Sequence, residues 1–370
     1  MKIKSIETIP VKVPISRQLA IRSSLGFHTH SPFLILRVHT DEGLIGLGEV
    51  SCTARWSGED NITARRLITE YLEPALVGQN PLDIESAVIT MRRALAGNPF
   101  TKSGVELALW DILGKSCGLP LYRLLGGAVR EVVPLKFSIS GADAEKAAEL
   151  ARWAVAQGFK TMKVKVAMPS GDLERVKAVR DAIGDDVRLG VDANGGWSPS
   201  EAVDSIRRMM KYNIFFAEQP VPPVDISWMA DVRKRVELPV MADESLYSLQ
   251  DAMALARAGA ADMFSIYVGK SGLTAARKIA AVAESAGLIC TIGSNMELGV
   301  ASAAMIHLAV STPAIDADTI PPDILSHHFY ETNLLTESLP VSGAAARAPQ
   351  KPGLGVELDD ESVRRYRVED

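Results

Sequence analysis

The feature that most constrains this chain is a repeated unit after residue 130: a short run of β-formers followed by a helical stretch, at roughly even spacing. Strand-like runs fall at 132–139, 161–166, 187–193, 214–218, 239–243, 261–268, 288–292 and 314–318. Helical patterns lie between them at 143–157, 172–183, 199–212, 227–236, 249–258, 272–286 and 298–311. Alternating short strands and helices imply parallel strands joined by right-handed crossovers. Eight such units predict a closed (β/α)8 barrel, because no switch point of an open sheet is visible among them.

The residues ahead of the repeat have a different rhythm. Runs at 3–13, 32–39 and 44–50 read as strands, and Asp41-Glu42-Gly43 supplies a hairpin turn between the last two. From 61 to 118 the period is helical, with Val105, Leu109, Ile112 and Leu113 on one face and a stop at Gly118 and Pro120. The chain therefore divides into a small α+β unit at 1–128 and a barrel at 129–329, and the tail at 330–370 is expected to return to the first unit. The class is α/β.

Composition narrows the function classes. Forty basic against 45 acidic residues give a net charge of −5, which offers no reason to expect nucleic acid or an anionic membrane as a partner. Cys52, Cys117 and Cys290 are too few and too scattered for a disulfide framework or a zinc pattern, as suits a reducing cytoplasm. A charge arrives by Lys2 and no run reaches the ~18–20 apolar residues of a membrane span, so a soluble cytoplasmic protein is expected.

Barrel chemistry sits where strands end. Three consecutive strands end in carboxylates: Asp192, Glu218 and Asp243, spaced by 218 − 192 = 26 and 243 − 218 = 25 residues. Any one could simply cap the following helix. Three in series on strands ~4.8 Å apart would repel one another, and a hard divalent cation with oxygen ligands, Mg2+, relieves this. The preceding strand ends in Lys163-Val164-Lys165, and a period of two turns both lysines to one side. A second ammonium and partial burial would each lower a lysine pKa, which is how a lysine becomes a base near neutrality.

These motifs, with 106–127 (ELALWDILGKSCGLPLYRLLGG), Val191-Asp192-Ala193-Asn194, Glu218-Gln219-Pro220 and Asp243-Glu244-Ser245, resemble the enolase superfamily, specifically its muconate lactonizing enzyme subgroup (mandelate racemase/muconate lactonizing enzyme-like), over nearly the whole chain. The resemblance implies an α+β capping domain over a modified (β/α)8 TIM barrel. It implies essential Mg2+ on Asp192, Glu218 and Asp243, with Lys165 as acid/base and Lys163 tuning it. It also implies removal of the proton α to a carboxylate of a small acid, to give a metal-stabilised enediolate. Relatives of this kind are usually symmetric homo-oligomers.

One departure bears on mechanism. The subgroup usually ends its sixth strand with a second catalytic lysine, followed three residues on by a basic residue; here Lys270 fits the later position and Tyr267 stands where the second lysine belongs. A phenol is a weak base but a serviceable donor, so one-face chemistry is expected. Glu297, after strand seven, matches an acidic residue of the subgroup that faces the site. Asn194 is placed to orient the metal region or the lysine. Specificity is expected from two loops, 17–30 and 52–59, with Arg22, Phe27, His28, His30, Arg55 and Trp56 as candidate substrate contacts. Asp316 and Asp318 are read as the end of strand eight, with a structural role. The favoured reaction is isomerisation of the muconate-lactonizing type. The alternatives are a lyase dehydrating a hydroxy acid by syn elimination and an inactive metal-binding barrel.

Overall fold

The computed structural model describes residues 1–16 and 19–368. The chain opens with β1 (Ile3–Pro14), a small hairpin of β2 (Ile21–Ser23) and β3 (Gly26–His28), then β4 (His30–Thr40) and β5 (Ile45–Val50). β1, β4 and β5 form an antiparallel sheet, in which Ile9 lies opposite Ile35 and Leu36 opposite Gly48. The 41–43 turn closes the β4–β5 hairpin as its sequence predicts. Against this sheet lies the helix Pro99–Cys117, which is apolar nearly all round and buried accordingly. The contact is close because β5 carries glycines: a Cβ at Gly48 would stand 2.1 Å from the Gly104 carbonyl oxygen.

The barrel follows. After β6 (Val133–Pro134) come β7 (Phe137–Ile139), β8 (Thr161–Lys165), β9 (Arg188–Asp192), β10 (Ile214–Glu218), β11 (Val240–Ala242), β12 (Met263–Ile266) and β13 (Ile289–Ile292). These last seven form one parallel sheet in sequential order, so the repeat is realised as read. Capped helices fill the gaps. Ser198 and Ser248 each make a capping box, and Asp143 and Asp225 cap their helices directly.

The eighth strand differs from expectation. The 314–318 run forms only a single bridge, Ile315 to Cys290. The stave instead runs on irregularly: Asp323 N donates to Ile292 O on one side, and Lys136 N donates to Pro322 O on the other, at 2.8 and 3.0 Å. Pro321 and Pro322 have no N–H to offer a ladder, which accounts for the irregularity. Asp316 and Asp318 thus begin the stave rather than end it. The carbonyl of Asp318 accepts from the guanidinium of Arg188, at the start of β9. The residue at the rim is Asp323.

Two buried glutamates of the N-terminal unit grip the barrel. Glu49 on β5 accepts from Leu298 N and Ala301 N, at the start of the helix Gly299–Ser311. Glu106 accepts from Thr274 N, at the start of the helix Leu273–Ser285. Carboxylates at helix N-termini satisfy free N–H groups and meet the positive end of the dipole. In the tail, Leu354 N donates to Asp111 Oδ1 and Val368 N to Pro10 O. No helix among the described residues is long and apolar enough to cross a membrane.

Gly48→Ala should lower stability by about 2–3 kcal/mol, the cost of overpacking a backbone-to-backbone contact. Chemical denaturation would check this; a loss below about 0.5 kcal/mol would mean that the sheet and helix separate freely.

Candidate active site

The rim chemistry follows from register. Lys165 on β8 lies opposite Asp192 on β9, and Asp192 lies opposite Glu218 on β10, so three functional groups form one row across adjacent strands. Asp243 follows the end of β11, which keeps it on the same rim. Gly190 leaves space behind the row, because a Cβ there would meet the Phe216 ring at 2.2 Å.

Ammoniums compensate the carboxylates. Lys163 Nζ reaches Glu218 Oε1 at 2.7 Å, Asp192 Oδ2 at 3.0 Å and Asp323 Oδ2 at 3.0 Å. Lys165 Nζ donates to Asp192 Oδ2 at 2.7 Å and to Asn194 Oδ1 at 2.8 Å. Lys270 Nζ, fully buried, donates to the carbonyl and Oδ1 of Asp243 at 2.7 and 2.8 Å. Lys136, also fully buried, pairs with Asp323 Oδ2 at 3.2 Å.

This environment overturns one expectation. Burial works against the Lys163 ammonium, but Asp192, Asp323 and Glu218 outweigh it and hold its pKa well above the ordinary lysine value. Three carboxylates within 3.0 Å of the Lys163 ammonium account for this direction. For Asp192, burial opposes ionisation, yet Lys163 and Lys165 keep it well below the usual range. Glu218 goes the other way: burial raises it to about 7, with Asp192 and Asp243 adding to the effect. Glu244 is raised to about 8 by burial and by Asp243 and Asp192.

The donor set fits a hard divalent cation. Asp192, Glu218 and Asp243 are buried at one rim, and Glu218 Oε2 is a buried oxygen with no hydrogen-bond partner. As they stand, held by lysine ammoniums, no three acidic, His or Cys side chains among the described residues form a ready metal cage.

A cavity of about 90 Å³ opens onto this rim. Lys163, Lys165, Asn194 and Asp243 line it from the barrel; Arg55, Trp56 and Cys52 line it from the 50s loop. Trp56 Nε1 donates to Glu244 Oε1 at 3.0 Å, and Asn194 Nδ2 donates to the same oxygen at 2.8 Å. Arg55 is tied to the 20s segment through Leu25 O.

The other candidates are placed differently. Arg22 and Phe27 are exposed, with the guanidinium 5.5 Å from the Phe27 ring centroid, and neither lines the cavity. Both point away because β2 and β3 turn their alternate residues outward; Ile21, Ser23 and Leu25 line the cavity instead. The His28 side chain and Arg17 lie outside the described part, and His30 is exposed. Tyr267 is fully buried behind Trp56, ring centroids 5.7 Å apart, and its hydroxyl has no partner. Burial, then Asp243, pushes that phenol well above its ordinary pKa. Glu297 is turned into the 294–296 loop, accepting from Ser294 Oγ at 2.6 Å and Asn295 N at 3.1 Å, while the loop itself lines the cavity.

Sequence reasoning missed Asp323, Ser326, Glu244, Lys136 and the contact of Lys270 with Asp243. Glu244 stands inside a quoted motif; Asp323 sits after two prolines where no strand period points to it.

Glu297 supplies a pH prediction. Burial raises its pKa from 4.5 to about 7. The folded protein then binds more protons than the unfolded chain between these values, so stability falls as pH rises through that window. The group contributes up to about 3 kcal/mol of this fall, as an order of magnitude. Glu297→Gln should flatten the stability curve between pH 5 and 7.5 in denaturation series; an unchanged slope would mean that Glu297 ionises normally in the fold.

Comparison with known proteins agrees with the fold and the motifs. Residues 5–126 match the family described as mandelate racemase / muconate lactonizing enzyme, N-terminal domain, and residues 145–362 match enolase C-terminal domain-like. N-succinyl-L-Arg/Lys racemase of Bacillus cereus is 33% identical, covering 100% of this chain and 98% of its own; its crystal structure superposes with a TM-score of 0.95. Muconate cycloisomerase 1 of Rhodococcus opacus is 31% identical over 99% of this chain and 98% of its own. The dipeptide epimerase of Enterococcus faecalis V583, solved with Mg and the dipeptide L-Leu-L-Tyr, is 31% identical, with a TM-score of 0.90, over 96% of this chain and 100% of its own. The chain belongs to the mandelate racemase/muconate lactonizing enzyme family of the enolase superfamily, a family of enzymes whose named relatives here are isomerases.

Proposed function

We propose that this enzyme is a Mg2+-dependent isomerase that removes the proton α to a carboxylate of a small acid and completes the reaction from one face, as a cycloisomerase does. The observation that carries the reading is the row Lys165–Asp192–Glu218 beside a cavity whose other wall offers no second lysine. In this reading Asp192, Glu218 and Asp243 hold the cation, which when bound supplies Lewis-acid stabilisation of the developing oxyanion.

The chain's own groups have distinct tasks. Lys165 is the base; Asn194 Oδ1 and Asp192 Oδ2 fix its Nζ toward the cavity. Lys163 remains an ammonium and adds fixed positive charge where negative charge develops. Lys270 orients Asp243 from behind. Trp56, Arg55 and the 294–296 loop, braced by Glu297, keep water from the reacting carbon. Tyr267 stays a neutral phenol, so two-base racemisation lacks its second base.

A second reading shares the first step. Loss of a β-hydroxyl from the same face would make the enzyme a lyase, and the replacement of the second lysine by Tyr267 favours it equally, because syn elimination needs one base only.

Proton NMR in D2O with Mg2+ and a series of small carboxylates would test both. One stereoisomer, exchanged or rearranged, is expected; both stereoisomers at comparable rates would eliminate one-face chemistry, and a keto or unsaturated product would select the lyase. Lys165→Ala should slow α-proton exchange by about 10²–10⁴-fold with an unchanged circular dichroism spectrum. Tyr267→Phe removes a buried hydroxyl that has no partner, so turnover should stay within about threefold of the unaltered enzyme; a hundredfold loss would make Tyr267 a proton donor.

A further inference from the structure

We infer that Gln219 is a positioning residue that ties three barrel strand ends together and so sets the spacing of Asp192, Glu218 and Asp243 to favour Mg2+ over the larger Ca2+. The inference rests on the proposed role of those carboxylates as ligands of the cation. Gln219 follows Glu218 directly, is fully buried and does not line the cavity, so it acts only through its neighbours. Its side-chain amide has every hydrogen-bonding position filled. Oε1 accepts from Asp243 N at 3.0 Å and from Ser245 N at 3.1 Å. Nε2 donates to Ser245 Oγ at 2.7 Å and to Val221 O at 2.8 Å. A carboxamide offers two acceptor and two donor positions, so none is left over.

These bonds take over where the strand ladder stops. β10 and β11 pair at Ala217–Val240 and Glu218–Met241, and Gln219 N adds a last bond to Met241 O at 2.9 Å. β11 ends at Ala242, so Asp243 lies past it. Gln219 Oε1 holds the Asp243 N–H, while Lys270 Nζ holds its carbonyl and Oδ1. The carboxylate therefore projects from a backbone fixed on both sides. Toward β9, the Gln219 carbonyl accepts from Gly195 N at 2.8 Å, which anchors the turn that follows Asp192. The Gln219 backbone has a φ of 35°, in the left-handed region that costs a residue with a side chain free energy. Such a conformation persists where surrounding bonds over-determine it. Mg2+ demands near-ideal octahedral geometry at short distances, whereas Ca2+ accepts longer and looser shells. A fixed frame discriminates between the two, and a slack one does not.

The test reads cation binding rather than turnover. Mn2+ is titrated into the full chain, free Mn2+ is counted by electron paramagnetic resonance, and the bound ion is then displaced with Mg2+ or Ca2+. Gln219→Met keeps the side-chain length and removes all four amide bonds. It should weaken Mn2+ binding by about 10–100-fold, as loss of a partner behind a metal ligand does. It should also lower the preference for Mg2+ over Ca2+ by about fivefold, because the frame has slackened. Ser245→Ala, which removes one acceptor of Nε2, should lower that preference by about threefold. This second variant carries the test if circular dichroism shows Gln219→Met unfolded. Equal weakening of all three cations, or an unmoved Mg2+ preference in a folded variant, would make Gln219 a merely structural residue and overturns the inference. If the unaltered chain binds no Mn2+, the cation reading falls and this inference with it; binding with an unmoved preference sinks this inference alone.

Discussion

Buried negative charge is the constraint on which the site depends. Asp192, Glu218, Asp243 and Asp323 are withdrawn from water at one end of a barrel, where an uncompensated carboxylate is costly. Four ammoniums, Lys136, Lys163, Lys165 and Lys270, answer them within 2.7–3.2 Å. The balance is close to neutral before any cation or substrate arrives. Under the proposed function a divalent cation held by Asp192, Glu218 and Asp243 would make the site positive by two, which would match the dianion that a carboxylate substrate becomes on losing its α-proton. Glu218 and Glu244 are raised to about 7 and about 8 chiefly by burial, with Asp192 and Asp243 adding to it and Lys163, for Glu218, or Asn194, for Glu244, working against it.

The N-terminal unit supplies part of the cavity wall above these charges. Trp56 and Arg55 reach over the rim, and Trp56 is anchored on Glu244, next in sequence to Asp243. The lid is held by carboxylates that do no chemistry. Glu49 and Glu106 bind the N-termini of the helices that follow β13 and β12. Those strands carry the 294–296 loop and Tyr267 to the site, so the cap fixes the far wall as well as the roof. Excluding water raises the strength of every charge–charge contact beneath.

Much of this was legible in the sequence, for identifiable reasons. A parallel barrel strand is short, and its last residues are set by the helix that follows, so Asp192, Glu218 and Asp243 could be placed on one rim from spacing alone. The two lysines of β8 were readable from a period of two. Legibility failed where period fails. The eighth stave is interrupted by Pro321 and Pro322, and its rim residue, Asp323, lies five residues past Asp318, the last residue of the strand-like run. Lys270 has the wrong parity for a strand residue, and it reaches the site from a turn of helix, Val268–Ser271, beyond β12. In the 20s loop, alternation along a two-residue turn decides which side chains face inward. Composition favoured Arg22 and Phe27, whereas geometry selected Ile21, Ser23 and Leu25.

The exchange of a lysine for Tyr267 gains its meaning from this arrangement. A lysine at that position would add a fifth ammonium to a site already near balance, and its Nζ would share Asp243 with Lys270. A phenol avoids the excess charge. It also fills the volume between Trp56 and Gly293, where a Cβ would come within 3.0 Å of the ring. The ammonium of Lys270 lies 4.2 Å from the Tyr267 ring centroid, close enough for a cation–π attraction that fixes both groups. In this structure Tyr267 packs between Trp56 and the Lys270 ammonium that holds Asp243. Under the proposed function, with Lys165 on one face of the cavity and aromatic surface on the other, proton removal and completion of the reaction would share Lys165.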